Sequence, residues 1–205
     1  MIKRGSVLIT LGLLLLCAAA GLSGYNLWES RRAETLSQET AAYLAQIIPR
    51  KEPQPEVPLP IEETEIPDYV LDPTRDMPVV AYGGHDYVGT LSIPALGLEL
   101  PIIGDWSYPA LRVAPCRYAG TAYTNGFVIA AHNYRAHFGS LASLSPGDTV
   151  TFTDTDGNLF SYTVAAKETL PPTAIEEMTD DVWALTLFTC TVGGSARVSV
   201  RCDRA

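Results

Sequence analysis

Leu185-Thr186-Leu187-Phe188-Thr189-Cys190-Thr191-Val192-Gly193-Gly194-Ser195-Ala196-Arg197-Val198-Ser199-Val200-Arg201 reads as a strand, a glycine turn and a second strand. β-branched and apolar residues flank the Gly193-Gly194 pair on both sides, the pattern of two extended segments joined by a short loop. A cysteine ends the first strand and an arginine opens the second. Strand period 2 puts Arg197, Ser199 and Arg201 on one face and Val198 and Val200 on the other. Parity leaves both arginines open as partners of Cys190, and proximity to the turn favours Arg197. Strand ends beside loops are common places for reactive side chains.

Working outward, the segments before this stretch repeat its grammar. Val88–Ile93, Leu98–Ile103, Gly126–Ala131, Thr149–Thr153 and Leu159–Val164 are short, β-branched and separated by turn residues. Pro101 points to an edge or a bulge within its strand. Asp154-Thr155-Asp156-Gly157-Asn158 between two of them is a hairpin signal. With Leu185–Thr189 and Arg197–Val200 this makes about seven strands and few helical windows, an all-β closed or sandwiched fold. Residues 79–205 are long enough to bury one core.

Upstream the composition changes. Gly5–Trp28 is 24 residues without a charge, long enough as a helix to cross a hydrocarbon core of roughly 30 Å. Lys3 and Arg4 precede it, which places the N-terminus in the cytoplasm, and Tyr25 and Trp28 suit the outer interface. A cleavable signal peptide ending at Ala18-Ala19-Ala20 is the rival reading; the apolar run continues past those alanines and favours an uncleaved anchor. Residues 31–48 carry an imperfect helical stripe of Leu36, Tyr43, Leu44 and Ile47 and read as a stalk. Residues 49–78 hold 8 of the 15 prolines and eight acidic residues, the composition of an extended spacer that keeps the next domain off the membrane. The expected organisation is therefore a cytoplasmic stub and transmembrane anchor over 1–30, a helical stalk over 31–48, a Pro/Glu-rich linker over 49–78, and a globular domain over 79–205.

The net charge of −9 argues against nucleic-acid binding, which needs clustered Lys and Arg. Cys17 lies in the apolar run, leaving Cys116, Cys190 and Cys202, so at least one thiol outside the membrane is free unless chains are linked. A Cys116–Cys202 disulfide is one reading. No Cys-x-x-Cys spacing suggests zinc.

Cys190 needs a base. His132 immediately follows the apolar strand Gly126–Ala131, as Cys190 follows its own, and two strand ends of one small barrel can be neighbours. The alternative is two unrelated polar residues near loops. His137 is the competitor, and His85 reads as an exposed loop residue. A nearby imidazolium or guanidinium stabilises the thiolate, and the fixed charge of Arg197 suits an oxyanion.

Thr186-Leu187-Phe188-Thr189-Cys190, followed by Arg197-Val198-Ser199-Val200, resembles the Thr-Leu-x-Thr-Cys signature and downstream arginine of the sortases. Ile129-Ala130-Ala131-His132 with Phe138-Gly139-Ser140-Leu141 and Leu144-x-x-Gly147-Asp148-Thr149-Val150 is similar to the family's histidine region. Leu91-Ser92-Ile93-Pro94-Ala95-Leu96-Gly97-Leu98 resembles its opening strands, and anchor, spacer and C-terminal domain match its layout. The resemblance implies a closed eight-stranded β-barrel with short helices, preceded by the membrane helix and linker. It implies a cysteine transpeptidase in which Cys190 attacks the Thr–Gly bond of a Leu-Pro-x-Thr-Gly-like sorting signal. His132 is then the general acid–base and Arg197 the substrate and oxyanion group, with Thr189, Thr191, Ala131 and Asn133 as substrate-binding neighbours; His137 falls to a surface role.

The implied partners are secreted proteins bearing a C-terminal sorting signal and an amine acceptor such as a peptidoglycan precursor or a pilin lysine. The implied place is the outer face of the cell membrane of a Gram-positive-type bacterium. A thiol hydrolase on the same scaffold and a non-catalytic peptide-binding domain are the alternatives. Ala114-Pro115-Cys116-Arg117-Tyr118 replaces a Gly-Pro-Gly-His-Tyr-like run, bringing Cys116 toward the site and a bond to Cys190 or Cys202 into view. Asn133 stands where arginine is common. The lack of a second apolar span after Arg201 points away from the pilin-polymerising class, and Asp72-Pro73-Thr74 resembles that class's lid only without its aromatic residue. No cofactor is expected. One branch of the family uses calcium, for which Asp154, Asp156, Glu176 and Glu177 are candidates, but solvated loop carboxylates explain them better.

Overall fold

A computed structural model describes residues 4–49 and 66–205. Its nine strands are β1 (Val80–Tyr82), β2 (His85–Ile93), β3 (Leu98–Ile103), β4 (Cys116–Ala119), β5 (Phe127–Ala131), β6 (Thr149–Asp154), β7 (Leu159–Leu170), β8 (Leu185–Cys190) and β9 (Arg197–Arg204). The helices are α1 (Arg4–Ile47), α2 (Asp68–Leu71), α3 (Tyr108–Leu111) and α4 (Ile175–Met178). The strands run β1-β2-β3-β4-β5-β8-β9-β7-β6, and β6 pairs back onto β2. Eight strands, β2 to β9, thus close a barrel, and β1 is a short flap hinged on Gly83 and Gly84, both at positive φ.

Alternation along the strands decides what faces where. Leu91 and Ile93, Phe127 and Ile129, Phe152, Tyr162, Leu185 and Leu187, and Val200 and Cys202 point inward and form the barrel core. Their neighbours Tyr87, Ile103, Val128, Ala130 and Phe188 point outward into a second cluster, roofed by Leu44 of α1, Ala110 and Leu111 of α3 and Met178 of α4. The chain therefore has two apolar layers sharing one wall of strands. Pro101 is tolerated because β3 meets β4 only at Ile103↔Cys116, so no ladder needs its missing N–H on that side.

β1 and β4 were not legible as strands. One has three residues, and Cys-Arg-Tyr-Ala of the other has no clean alternation and follows a proline. β7 runs to Leu170, six residues past its expected end, across a bulge between Val164 and Ala166. His85 opens β2 half-buried instead of lying in an exposed loop.

The larger difference concerns the N-terminus. α1 is one helix of 44 residues, without a break between the apolar run and the stalk. It is the one helix among the described residues long and apolar enough to cross a membrane. Its stalk portion lies against the barrel: Ala33, Ser37, Thr40 and Leu44 are buried on one face, at the 3–4 residue spacing of a helical stripe. Tyr43 stacks on Tyr82 at 4.2 Å. Of the expected spacer, residues 50–65 lie outside the described residues. Its end belongs to the domain, since Tyr69 of α2 stacks on Tyr123 at 5.0 Å and Met77 joins the barrel core.

Candidate active site

β5 and β8 run parallel, with Ala130 opposite Phe188 and Ala131 opposite Thr189. One residue beyond that last pair come His132, just past the end of β5, and Cys190, the last residue of β8; neighbouring strands lie about 4.8 Å apart. Ala130 and Phe188 face outward, so two residues on, His132 and Cys190 share the same outer face. Cys190 lies directly opposite Arg197 in the β8–β9 ladder, and the half-buried thiol and guanidinium therefore share a face as well. The three residues singled out from sequence converge on one end of one wall.

The turn between Cys190 and Arg197 is closed from within. Thr191 N–H donates to Ala196 O at 3.0 Å, Ala196 N–H donates to Thr191 Oγ1 at 3.0 Å, and Gly194 N–H donates to Thr191 O at 2.8 Å. Gly193 and Gly194 supply the left-handed backbone at φ 85° and 74°. Arg197 Nη1 donates to Gly194 O and Ala196 O, both at 3.2 Å, which folds the guanidinium back over its own loop.

Arg201 has a different task. Only 1% exposed, it donates to Thr186 Oγ1 at 3.0 Å, to Glu168 Oε2 at 3.3 Å and to Met178 O at 3.5 Å, and also to Glu177 O. It ties α4 to the barrel wall. Parity admitted both arginines, and burial separates them.

The other expected neighbours sort in the same way. Thr189 Oγ1 donates to Ala131 O at 2.8 Å; both residues are buried toward the barrel interior and hold the two strand ends together. Thr191 closes the turn, and Asn133 stands exposed beside His132. Behind His132 the chain returns sharply: His137 and Gly139 N–H groups donate to Tyr134 O, and Phe138 N–H donates to His132 O. A Cβ on Gly139 would lie 2.7 Å from both the Asn133 and Tyr134 carbonyl oxygens, so this return requires glycine.

Two predicted histidine roles part company. Burial pushes the His132 imidazole below its ordinary value; the Glu29 carboxylate pulls it back and the Arg112 guanidinium adds to the depression. His137, expected at the surface, is fully buried, with its Nε2 3.0 Å from Ser37 Oγ of α1. Burial, reinforced by the charge of His132, pushes it down to about 4. α1 covers it, and nothing in the local sequence announces that.

All four cysteines are free. Cys116 sits in the outer cluster and Cys202 in the barrel core, on opposite faces of the strand wall, so the considered disulfide has no geometry. Burial pushes both thiols up to about 12. Asp154, expected as a solvated loop carboxylate, is buried and accepts from Asp156 N–H, Asn158 N–H, Asn158 Nδ2 and the Tyr123 hydroxyl. Among the described residues no group of three or more His, Cys, Asp or Glu side chains is placed to hold a metal.

Sequence reasoning missed an aromatic floor. Phe188, two residues before Cys190 on its face, meets Tyr118 edge-on at 5.2 Å, and Tyr118 meets Trp106 at 5.1 Å. Trp106 and Tyr118 border a hollow of about 380 Å³ that also holds Arg117 and Asp105. Aromatics spaced across three elements leave no periodic signal to read.

No curated protein sequence matches this chain. Among solved structures it is similar to a sortase D5 transpeptidase from Clostridium perfringens, at 20% identity and a TM-score of 0.53, over 58% of this chain and 79% of that one. It is also similar to sortase C1 from Streptococcus suis (24%, TM-score 0.52, 59% and 74%) and sortase C from Clostridium perfringens SM101 (23%, TM-score 0.51, 70% and 77%). At these identities the likeness is one of fold. The sortase domain profile matches residues 91–205, more than half of the chain, and covers the end of β2 and every strand from β3 to β9. The chain belongs to the sortase family.

Proposed function

We propose that this protein is a membrane-anchored cysteine transpeptidase with an extracytoplasmic catalytic domain. One observation carries the reading: Cys190, His132 and Arg197 share one face at the ends of three neighbouring strands. In the proposed reaction neutral His132 takes the proton of the Cys190 thiol, and the resulting thiolate attacks the Thr–Gly carbonyl carbon of a Leu-Pro-x-Thr-Gly-like signal. A C–S bond forms, the C–N bond breaks, and His132 gives a proton to the departing glycine amine. An incoming amine then loses a proton to His132 as it attacks the thioester, and the thiolate leaves.

Arg197 supplies fixed positive charge where the oxyanion develops. The half-exposed His132 is depressed by burial, which keeps it neutral near pH 7 and able to accept that proton. The Phe188–Tyr118–Trp106 floor offers apolar surface for the residues preceding the scissile bond. The apolar part of α1 is the anchor, with the N-terminus cytoplasmic behind Lys3 and Arg4. The acceptor amine belongs to the cell wall or to another protein.

The test uses the full chain in lipid nanodiscs with a panel of fluorogenic sorting peptides, with and without an amine acceptor. Amine-dependent ligation product from the wild type, abolished in Cys190→Ala, is the expected result. Cleavage without ligation on every peptide would make the protein a hydrolase, and identical behaviour of wild type and Cys190→Ala would remove the enzyme reading altogether.

A further inference from the structure

Between Gly24 and Ile47, α1 contains neither glycine nor proline, the usual causes of a sharp kink. Its apolar run ends at Trp28, and the very next residue touches the barrel. Glu29 Oε1 lies 3.6 Å from Arg112 Nε, and Glu29 accepts the Tyr134 hydroxyl. The Tyr134 ring in turn lies 4.9 Å from that of His132. From there Ala33, Ser37, Thr40 and Leu44 stay buried against the domain, and Ser37 bonds both His137 and Val113 O. One continuous helix thus joins apolar span and barrel, with no spacer between the last membrane-suited residue and the His132 end.

The far end of the docked segment fixes the orientation. Ile48 and Pro49 pack beside Leu159 and Gly157 of the β6–β7 hairpin. At 1.5 Å per residue that hairpin stands roughly 28 Å further along the helix than Glu29. The end of the barrel nearest the apolar run is the His132 end.

Charge at that end fits a lipid surface. In a chain of net charge −9, Arg31 and Arg32 follow the apolar run between Glu29 and Glu34, Arg112 pairs with Glu29, and Arg135 stands exposed three residues past His132. Arg32 lies over the Trp28 ring at 5.6 Å, and Tyr25 and Trp28 are exposed, as interfacial aromatics are. Arginine forks suit phosphate, and anionic headgroups attract them.

We propose that the His132 end of the barrel is a membrane-docking surface, seated on lipid headgroup phosphates and held there by the unbroken α1. The inference rests on the reading that α1 spans the membrane, and not on the transpeptidase chemistry.

The test is a depth measurement in anionic nanodiscs on the full chain carrying Cys17→Ala and Cys190→Ala, with one thiol added at Asn133→Cys or at Leu159→Cys. Cys116 and Cys202 are buried and escape labelling. A bimane at residue 133 loses most of its fluorescence to headgroup-nitroxide lipid, and one at 159 loses almost none. A second sample, Cys190→Ala with native Cys17 labelled, reports the span through an acyl-chain nitroxide. An unquenched Cys17 label sinks the anchor reading. A quenched Cys17 with equal losses at 133 and 159 overturns the docking surface alone.

Discussion

Ser37 of α1 and His137 of the return after β5 meet at 3.0 Å, across 100 residues of sequence, and both are shut off from solvent. The contact joins the helix to the segment that carries His132. Because Ser37 Oγ also donates to Val113 O at 3.3 Å, His137 has one partner for its Nε2, and its buried Nδ1 has no partner among the described residues.

Ser37→Ala therefore leaves a buried imidazole without its hydrogen bond. The expected cost is about 1–3 kcal/mol, the penalty of stranding a buried polar group. It is read as a lowered urea midpoint of the full chain in detergent, and an unchanged midpoint would mean the contact contributes nothing.

The burial of His137 makes stability depend on pH. The folded-state value of His137 is depressed to about 4 from an ordinary 6.5, so the folded form resists the proton that the unfolded chain takes up. The stabilisation is complete above pH 6.5 and is lost as pH falls toward about 4, a loss of roughly 3 kcal/mol for a shift of that size. Urea midpoints measured from pH 7.5 to 4.5 should fall accordingly, and His137→Phe should flatten part of that slope.

Arg197 and Arg201 are four residues apart, and their substitution should have opposite consequences. Removing Arg201 leaves Thr186 and two α4 carbonyls without their shared donor, and Arg201→Ala should cost about 1–3 kcal/mol, as for buried polar groups left unsatisfied; Glu168 is partly exposed and can turn to water. Arg197→Ala loses only bonds within its own loop and should unfold at nearly the wild-type midpoint while peptide turnover falls by about two orders of magnitude. Equal destabilisation in the two variants would contradict this division.

Gly139→Ala forces a methyl group against the Asn133 and Tyr134 carbonyls, and backbone must shift to admit it. The shift falls on the return that holds His132. Turnover should drop by up to about a hundredfold, the scale expected for a reacting group displaced by about 1 Å. Ser140→Ala, one residue along and exposed, should be close to neutral.

How much of this was readable in advance varies by element. Seven of the eight barrel strands were visible because inward and outward residues alternate, as in Leu185–Cys190 and Thr149–Asp154. β4 was not, since four residues after a proline carry too little pattern. Cys190 and His132 stood out because each ends an apolar strand, and Arg197 because a glycine turn returns it. The buried state of His137 and Asp154 was invisible: what covers the first is a helix 100 residues away, and what satisfies the second is the geometry of its own turn. Similarly, residues 31–48 read from sequence as a helical stalk, and their docking on the barrel was not legible, because an imperfect apolar stripe does not name the surface that covers it.

By itself, then, the sequence determined which faces of the strands are apolar, where the chain turns, and that its first helix can cross a membrane. These are local properties, set by periodicity, glycine and length. Tertiary structure alone decided that β6 closes onto β2, that β5 and β8 run side by side and bring the strand ends before His132 and at Cys190 together, and that Arg201 is buried where Arg197 is half-exposed. It alone decided that α1 continues unbroken from its apolar run onto the barrel, passing the His132 end at Glu29 and ending beside the β6–β7 hairpin. Each of these depends on which surfaces pack across long stretches of chain, and packing selects among partners that local sequence leaves equivalent.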